Sequence, residues 1–123
     1  MSVQKGDLLI VEPALQLLPS LALAIGLEEA IVLQELHNQI NDPENYNWTI
    51  ENGEKWIFET YEEWRKFSFP FWNTTKIQRI FLNLEKMGLV VSKKQYKNKL
   101  YRIDYNALTL WTTPIAALST ENA

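Results

Sequence analysis

Apolar residues recur with a helical period in some stretches of this chain and alternate in others, and each change of period marks an element. Leu8 to Val11 is a short apolar run, suited to a strand or an extended lead-in. Pro13 predicts a helix start, because the first helical position has no use for the N–H that proline lacks. Ala14 to Ala24 is apolar almost all round, which predicts burial, and Gly26 is placed to stop the helix. Helical spacing resumes at Leu27. Ala30, Leu33, Leu36 and Ile40 share a face with Val32, while Glu28, Glu35, Asn38 and Gln39 face away. Asp42 and Pro43 end this second helix.

From Tyr46 to Glu59 the period shortens to two. Trp48 and Ile50 alternate with polar residues, Asn52-Gly53 is a strong turn signal, and Trp56 and Phe58 alternate again, so a β-hairpin is predicted. Thr60 and Glu63 have the spacing of a capping box, which opens a short helix from Tyr61 to about Phe67. Pro70 bars the next five residues, Ser68 to Trp72, from regular helix. Asn73 or Thr74 caps a longer helix ending at Met87, with Gly88 in the terminating position. Leu89 to Lys94 and Lys99 to Tyr105 read as strands around a Tyr96-Lys97-Asn98 turn, with Tyr101, Ile103 and Tyr105 facing the core. Residues 1–110 are expected to form one domain and 111–123 a loosely held tail. The order predicts an α+β, mainly α fold: a winged helix-turn-helix with a second β-hairpin between the N-terminal helices and the helix-turn-helix.

Charge sharpens this reading. The 27 residues from Lys76 to Arg102 hold eight basic side chains against Glu85 alone, or +7. Residues 1–75 hold four basic and twelve acidic side chains, so the formal net charge of −3 hides a divided molecule. A basic element on an acidic body suits a polyanion, because the local field attracts phosphate. The long helix places Ile77, Ile80, Phe81, Leu84 and Met87 on one side and Thr75, Lys76, Arg79, Asn83 and Lys86 on the other. The second face suits a major groove: Arg can bond guanine, Asn adenine, and Lys phosphate or guanine. Asn73, Thr74 and Thr75 add the amino end of the helix, where backbone N–H groups favour phosphate. Leu82 departs from the pattern on that polar face. In the last hairpin Lys93, Lys94, Lys97 and Lys99 crowd the tip with Tyr96 among them, suited to phosphate or minor-groove contact. Lysines also keep exposed strand edges from pairing.

Other signals point to structure. Phe67, Phe69, Phe71 and Trp72 are expected to pack the turn before the long helix onto the core, with Trp72 the exception. His37, the lone histidine, reads as half-buried. Glu28-Glu29 and Glu62-Glu63 are adjacent on helices and point apart, which is poor geometry for shared catalysis. No phosphate-cradling loop, nucleophile motif or metal-ligand cluster stands out, so no enzyme, metal or cofactor is expected. The absence of cysteine excludes disulfides, and no stretch reads as a signal peptide or a span. A cytoplasmic protein is the expectation.

Several strings together are familiar: Leu18-Pro19-Ser20-Leu21-Ala22, Ile25-Gly26-Leu27-Glu28-Glu29-Ala30, Leu33-Gln34, Lys55-Trp56-Ile57-Phe58 and Thr60-Tyr61-Glu62-Glu63-Trp64. Phe69-Pro70-Phe71-Trp72, Thr75-Lys76-Ile77-Gln78-Arg79 and Leu84-Glu85-Lys86-Met87-Gly88-Leu89 follow. From about Leu8 to Tyr105 the chain resembles the winged-helix domain of bacteriophage and plasmid replication proteins, related to the DnaD-like replisome organisers. The resemblance implies a DNA-binding or oligomerising module that helps load replication machinery, with Thr75, Lys76 and Arg79 matching its reading-helix motif. Such proteins usually continue into a second domain, and Asn38-Gln39 stands where the family pattern has a Tyr-Trp pair. The expected partners are double-stranded DNA and a homodimer or replication protein. The rival reading is a protein-interaction module on the same scaffold, driven by the acidic body or by Trp48, Trp56 and Trp111. A transcriptional regulator would use the same chemistry.

Overall fold

The computed structural model describes residues 14–45, 47–95 and 98–112. The described residues form an α+β fold in which helices pack against one face of a four-stranded antiparallel sheet. Its elements are α1 (Pro19–Ile25), α2 (Leu27–Ile40), β1 (Trp48–Glu51), β2 (Glu54–Phe58), α3 (Tyr61–Phe67), α4 (Thr74–Lys86), β3 (Val90–Gln95) and β4 (Asn98–Ile103). A further helix, α5, covers 105–112.

Local chemistry sets most boundaries. Asn52 and Gly53 both take positive φ, 53° and 78°, as a two-residue hairpin turn with the twist of its strands requires. The Thr60 hydroxyl accepts from the Glu63 N–H at 3.1 Å, and the Glu63 carboxylate accepts from the Thr60 N–H at 2.9 Å, completing the capping box. Asn73 caps α4 by accepting from the Lys76 N–H at 2.8 Å. At the other end Gly88 has φ 80°. The Gly88 N–H reaches the Glu85 carbonyl and the Leu89 N–H that of Leu84, both at 3.0 Å, which satisfies carbonyls the helix leaves over.

The sheet runs β1-β2-β4-β3, with Ile57 opposite Tyr101 and Val90 opposite Ile103. These four residues face the helices and are buried. Ala30, Val32, Leu33, Leu36 and Ile40 of α2 and Ile77, Ile80, Phe81 and Leu84 of α4 complete the core, as their spacing predicts. An aromatic chain runs through its centre. Trp64 lies 5.5 Å from Phe81, and Phe81 lies 4.7 Å from Tyr101, ring centre to ring centre.

Four expectations need correction. The first helix begins at Pro19, and residues 14–18 have no regular structure. Pro19 removes a donor from any earlier turn and holds Leu18 extended, at ψ 112°. That helix is also not buried all round: only Ile25 is buried, and Leu23 is 90% exposed. On β2, where alternation alone leaves the core face open, Ile57 takes the core side and Trp56 faces away from the helices. Finally, β4 stops at Ile103. Asp104 accepts from the Ala107 N–H at 3.0 Å and caps α5, so Tyr105 is an exposed helical residue. Trp111 and Thr112, expected in a loose tail, belong to the same helix. Leu8 to Val11, Pro13, Tyr46 and residues 113–123 lie outside the described residues.

Phe81 touches three aromatic neighbours, Tyr61 and Trp64 of α3 and Tyr101 of β4, so Phe81→Ala should cost about 3–5 kcal/mol. Urea unfolding followed by far-UV circular dichroism measures this. A loss below about 1 kcal/mol would mean that α4 is not held as described.

Candidate nucleic-acid interface

Because α4 buries Ile77, Ile80, Phe81 and Leu84, the rotation of the helix carries Thr75, Arg79, Leu82, Asn83 and Lys86 to the surface. Thr74 and Lys76 are partly covered, and Asn73 is exposed with its side chain engaged in the cap. The seven candidate residues from Asn73 to Lys86 therefore do share one outer face and the amino end of one helix.

That face is not purely cationic. Two consecutive carboxylates at the start of α2 reach across to it. Glu28 pairs with Lys76 at 2.5 Å and with Arg79 at 3.4 Å, and Glu29 accepts from the Asn83 amide at 3.0 Å. The Lys76 ammonium holds the Glu28 carboxyl below its usual range, with Arg79 adding to it. Arg79 keeps 62% of its side chain exposed, so its pairing leaves most of the guanidinium in solvent. Gly26 makes this approach feasible. It sits at φ 112° between α1 and α2, and a Cβ there would fall 2.4 Å from the Glu29 carboxylate. Helical spacing alone does not reveal these contacts, because the partners lie about fifty residues apart in sequence.

The last hairpin divides its lysines between two faces, because successive strand residues point opposite ways. Lys93 points away from the helices. Its ammonium lies 4.3 Å from the Trp56 ring centre and pairs with Glu51. Arg102 lies 5.4 Å from the same ring, so Trp56 is buried beneath two cations. Lys99 points to the helix side and meets Tyr61 Oη at 3.3 Å and Glu85 at 3.2 Å. Burial opposes the Lys99 charge, but those two partners outweigh it and raise its pKa. Lys94 is exposed and has no carboxylate partner among the described residues. Tyr96 and Lys97 lie outside them. The crowded, unopposed lysine tip expected from the sequence is thus corrected: Lys93 and Lys99 are held by carboxylates of the same chain, on opposite faces.

The aromatic turn before α4 also differs from expectation. Phe69 is fully buried and Trp72 packs beside it at 5.4 Å, but Phe67 is 68% exposed and Phe71 58%. Trp72, expected to be the outlier, is the better packed ring. Of the tryptophans proposed as an interaction patch, Trp56 is buried, Trp48 carries Lys55 over its ring, and Trp111 donates to the Met87 carbonyl. Among the described residues no ring contact joins the three.

Elsewhere, His37 Nδ1 lies 2.9 Å from Tyr105 Oη beside a groove of about 520 Å³ between α1, α2 and α5. Among the described residues no cluster of His, Cys, Asp or Glu suits a metal, and no helix is long and apolar enough to cross a membrane. No protein-family model, curated protein or solved structure matches the chain.

Glu59 supplies a pH handle on the fold. Burial raises its pKa from 4.5 to about 7, with Glu63 and Glu35 adding to the effect and a hydrogen bond with Asn47 opposing it. Between those two values the native state holds a proton that the unfolded chain has released. Stability contributed by this group therefore falls as pH rises from about 4.5 to about 7, then levels off. Glu59→Gln should flatten that slope, gaining on the parent protein by about 2 kcal/mol across the window once solvent screening is allowed for. Urea unfolding at a series of pH values checks this, and parallel curves for the two proteins would refute it.

Proposed function

We propose that this chain is a winged helix-turn-helix protein that binds double-stranded DNA, in phage- or plasmid-type replication initiation or its control. The observation that carries the reading is the arrangement around α4. A capped short helix, a tight turn and an amphipathic second helix are followed by a hairpin whose strands pair in the order β2-β4-β3. In a winged helix of this order the polar face and amino end of α4 would be the surface presented to a groove. The replication setting rests on the resemblance of the TYEEW, FPFW and LEKMGL strings alone.

In this reading Arg79 and Asn83 address base edges, while Thr75, Lys76 and the amino end of α4 meet phosphate. Lys86 and Lys94, which have no carboxylate partner among the described residues, add phosphate contacts. DNA must displace the Glu28 pairs. Exposed ion pairs of this kind are worth about 0–1 kcal/mol each, so several phosphates outcompete them at moderate salt.

A second reading, self-association, is favoured by one observation. Leu17, Leu18 and Leu23 at α1 and Leu110 and Trp111 on α5 are exposed, and Leu18, Leu21 and Leu108 line an apolar groove between those helices. Light scattering beside a salt-titrated binding assay separates the two. A uniform oligomer without DNA affinity supports the second.

Three outcomes follow for fluorescence anisotropy with labelled duplexes. Arg79→Ala should cost about 1–3 kcal/mol and relax base preference in a pool of selected sites, whereas Lys94→Ala should weaken all sequences alike and lower the salt slope by about one unit. Glu28→Gln should bind about three- to tenfold more tightly at low salt, since it removes a competing carboxylate from Lys76 and Arg79. Affinity unchanged in all three variants, or insensitive to salt, would contradict the proposal.

A further inference from the structure

We infer that the turn between α3 and α4 is a stacking site for unpaired DNA bases, with Phe67 and Phe71 as the platforms. The inference rests on the nucleic-acid reading above but assigns a different surface and a different form of DNA. Packing explains Phe69, which is fully buried, and Trp72, which lies against it. It does not explain Phe67, which meets no other ring among the described residues, and it explains Phe71 only in part: edge contacts with Trp72 and Phe69 leave more than half of that ring in water, as in Phe67. Folding gives no reason for two large rings to stand out at one turn.

Their surroundings point to an anionic, ring-bearing ligand. The Lys66 ammonium lies 5.4 Å from the Phe67 ring centre, and Lys66 forms no ion pair among the described residues. At the other end of the turn the Lys76 ammonium lies 5.4 Å from Trp72, whose ring meets Phe71 edge to face at 4.9 Å. Lys66 thus stands beside Phe67, and Lys76, although paired with Glu28, stands beside Trp72, the neighbour of Phe71, so the turn offers what single-stranded DNA requires: a flat face for the base and an ammonium for the phosphate. The nearest acidic groups on α3 are already engaged, Glu62 with Arg65 and Glu63 with the Thr60 N–H.

The two rings also stand apart. No ring contact joins Phe67 to Phe71, so they offer two separate faces and not one continuous apolar surface. Separate faces suit successive bases of a flexible strand; a protein partner would favour a contiguous patch. The site adjoins the amino end of α4. A strand held there would lie beside the duplex surface, as expected where duplex meets opened DNA.

The test compares a labelled oligo-dT with a duplex of equal length, using the full chain at fixed salt. Phe67→Ala and Phe71→Ala should each weaken oligo-dT binding about tenfold and leave duplex binding within twofold. Phe71→Trp should restore oligo-dT binding, because a larger ring still stacks. Trp72 fluorescence should change on adding oligo-dT to the parent protein, given its contact with Phe71. Loss of both forms of binding in equal measure, no loss in either alanine variant, or an alanine variant that changes only the oligomeric state would each overturn the inference. A parent protein that binds duplex but not oligo-dT overturns this inference alone; one that binds neither overturns the DNA reading as well.

Discussion

The burial of one face of α4 is the constraint on which the rest of the molecule depends. Ile77, Ile80, Phe81 and Leu84 are fully buried where α4 packs on α2, α3 and β3, with Phe81 also meeting Tyr101 of β4, and at ordinary transfer energies each contributes roughly 1.5–3 kcal/mol. A helix held so firmly cannot rotate to choose its outer face. The positions of Arg79, Leu82, Asn83 and Lys86 on the surface are consequences of that packing. The same packing places the turn before α4, and with it Phe67 and Phe71, at the edge of the same region.

Electrostatics then modifies what packing exposes. A sequence count treats Lys76, Arg79 and Lys86 as three free charges, yet Glu28 and Glu29 stand among them. The acidic body and the basic element are interleaved at the α2–α4 contact and across the sheet, where Glu51 meets Lys93, and within the basic element Glu85 of α4 meets Lys99. On the proposed DNA-binding reading, a phosphate that reaches Lys76, Arg79, Lys93 or Lys99 must replace a carboxylate, which disfavours weak, nonspecific polyanions more than a bare lysine patch would. The cost per exchange is small, so a ligand with several correctly placed phosphates still prevails.

How much of this was legible in the sequence follows the range of the interactions. The Thr60–Glu63 box, the Asn52-Gly53 turn and the Gly88 terminus involve neighbours only, and all are found where the sequence predicts them. The apolar spacing of α2 and α4 likewise predicts their buried faces. Pro19 was as visible as Pro13, but a run of leucines and alanines suggested one long helix; the proline restriction won. Tyr105 continued the strand alternation of Tyr101 and Ile103 until Asp104 capped a new helix. The pairing of Glu28 with Arg79, or of Lys93 with Glu51, depends on contacts between distant segments, and spacing carries no trace of it. Phe67 and Phe71 look like core residues to any reading based on hydrophobicity, and only the path of the turn shows that they are not.

Mapping the surface that DNA touches tests the account most directly. Amide resonances of the labelled protein, followed through a titration with a duplex oligonucleotide, should shift at Thr74 to Arg79, Asn83 and Lys86, with smaller changes at Lys94 and little at α1 or α5. Shifts confined to α1, α5 and the groove between them, or no shifts at any concentration, would contradict it.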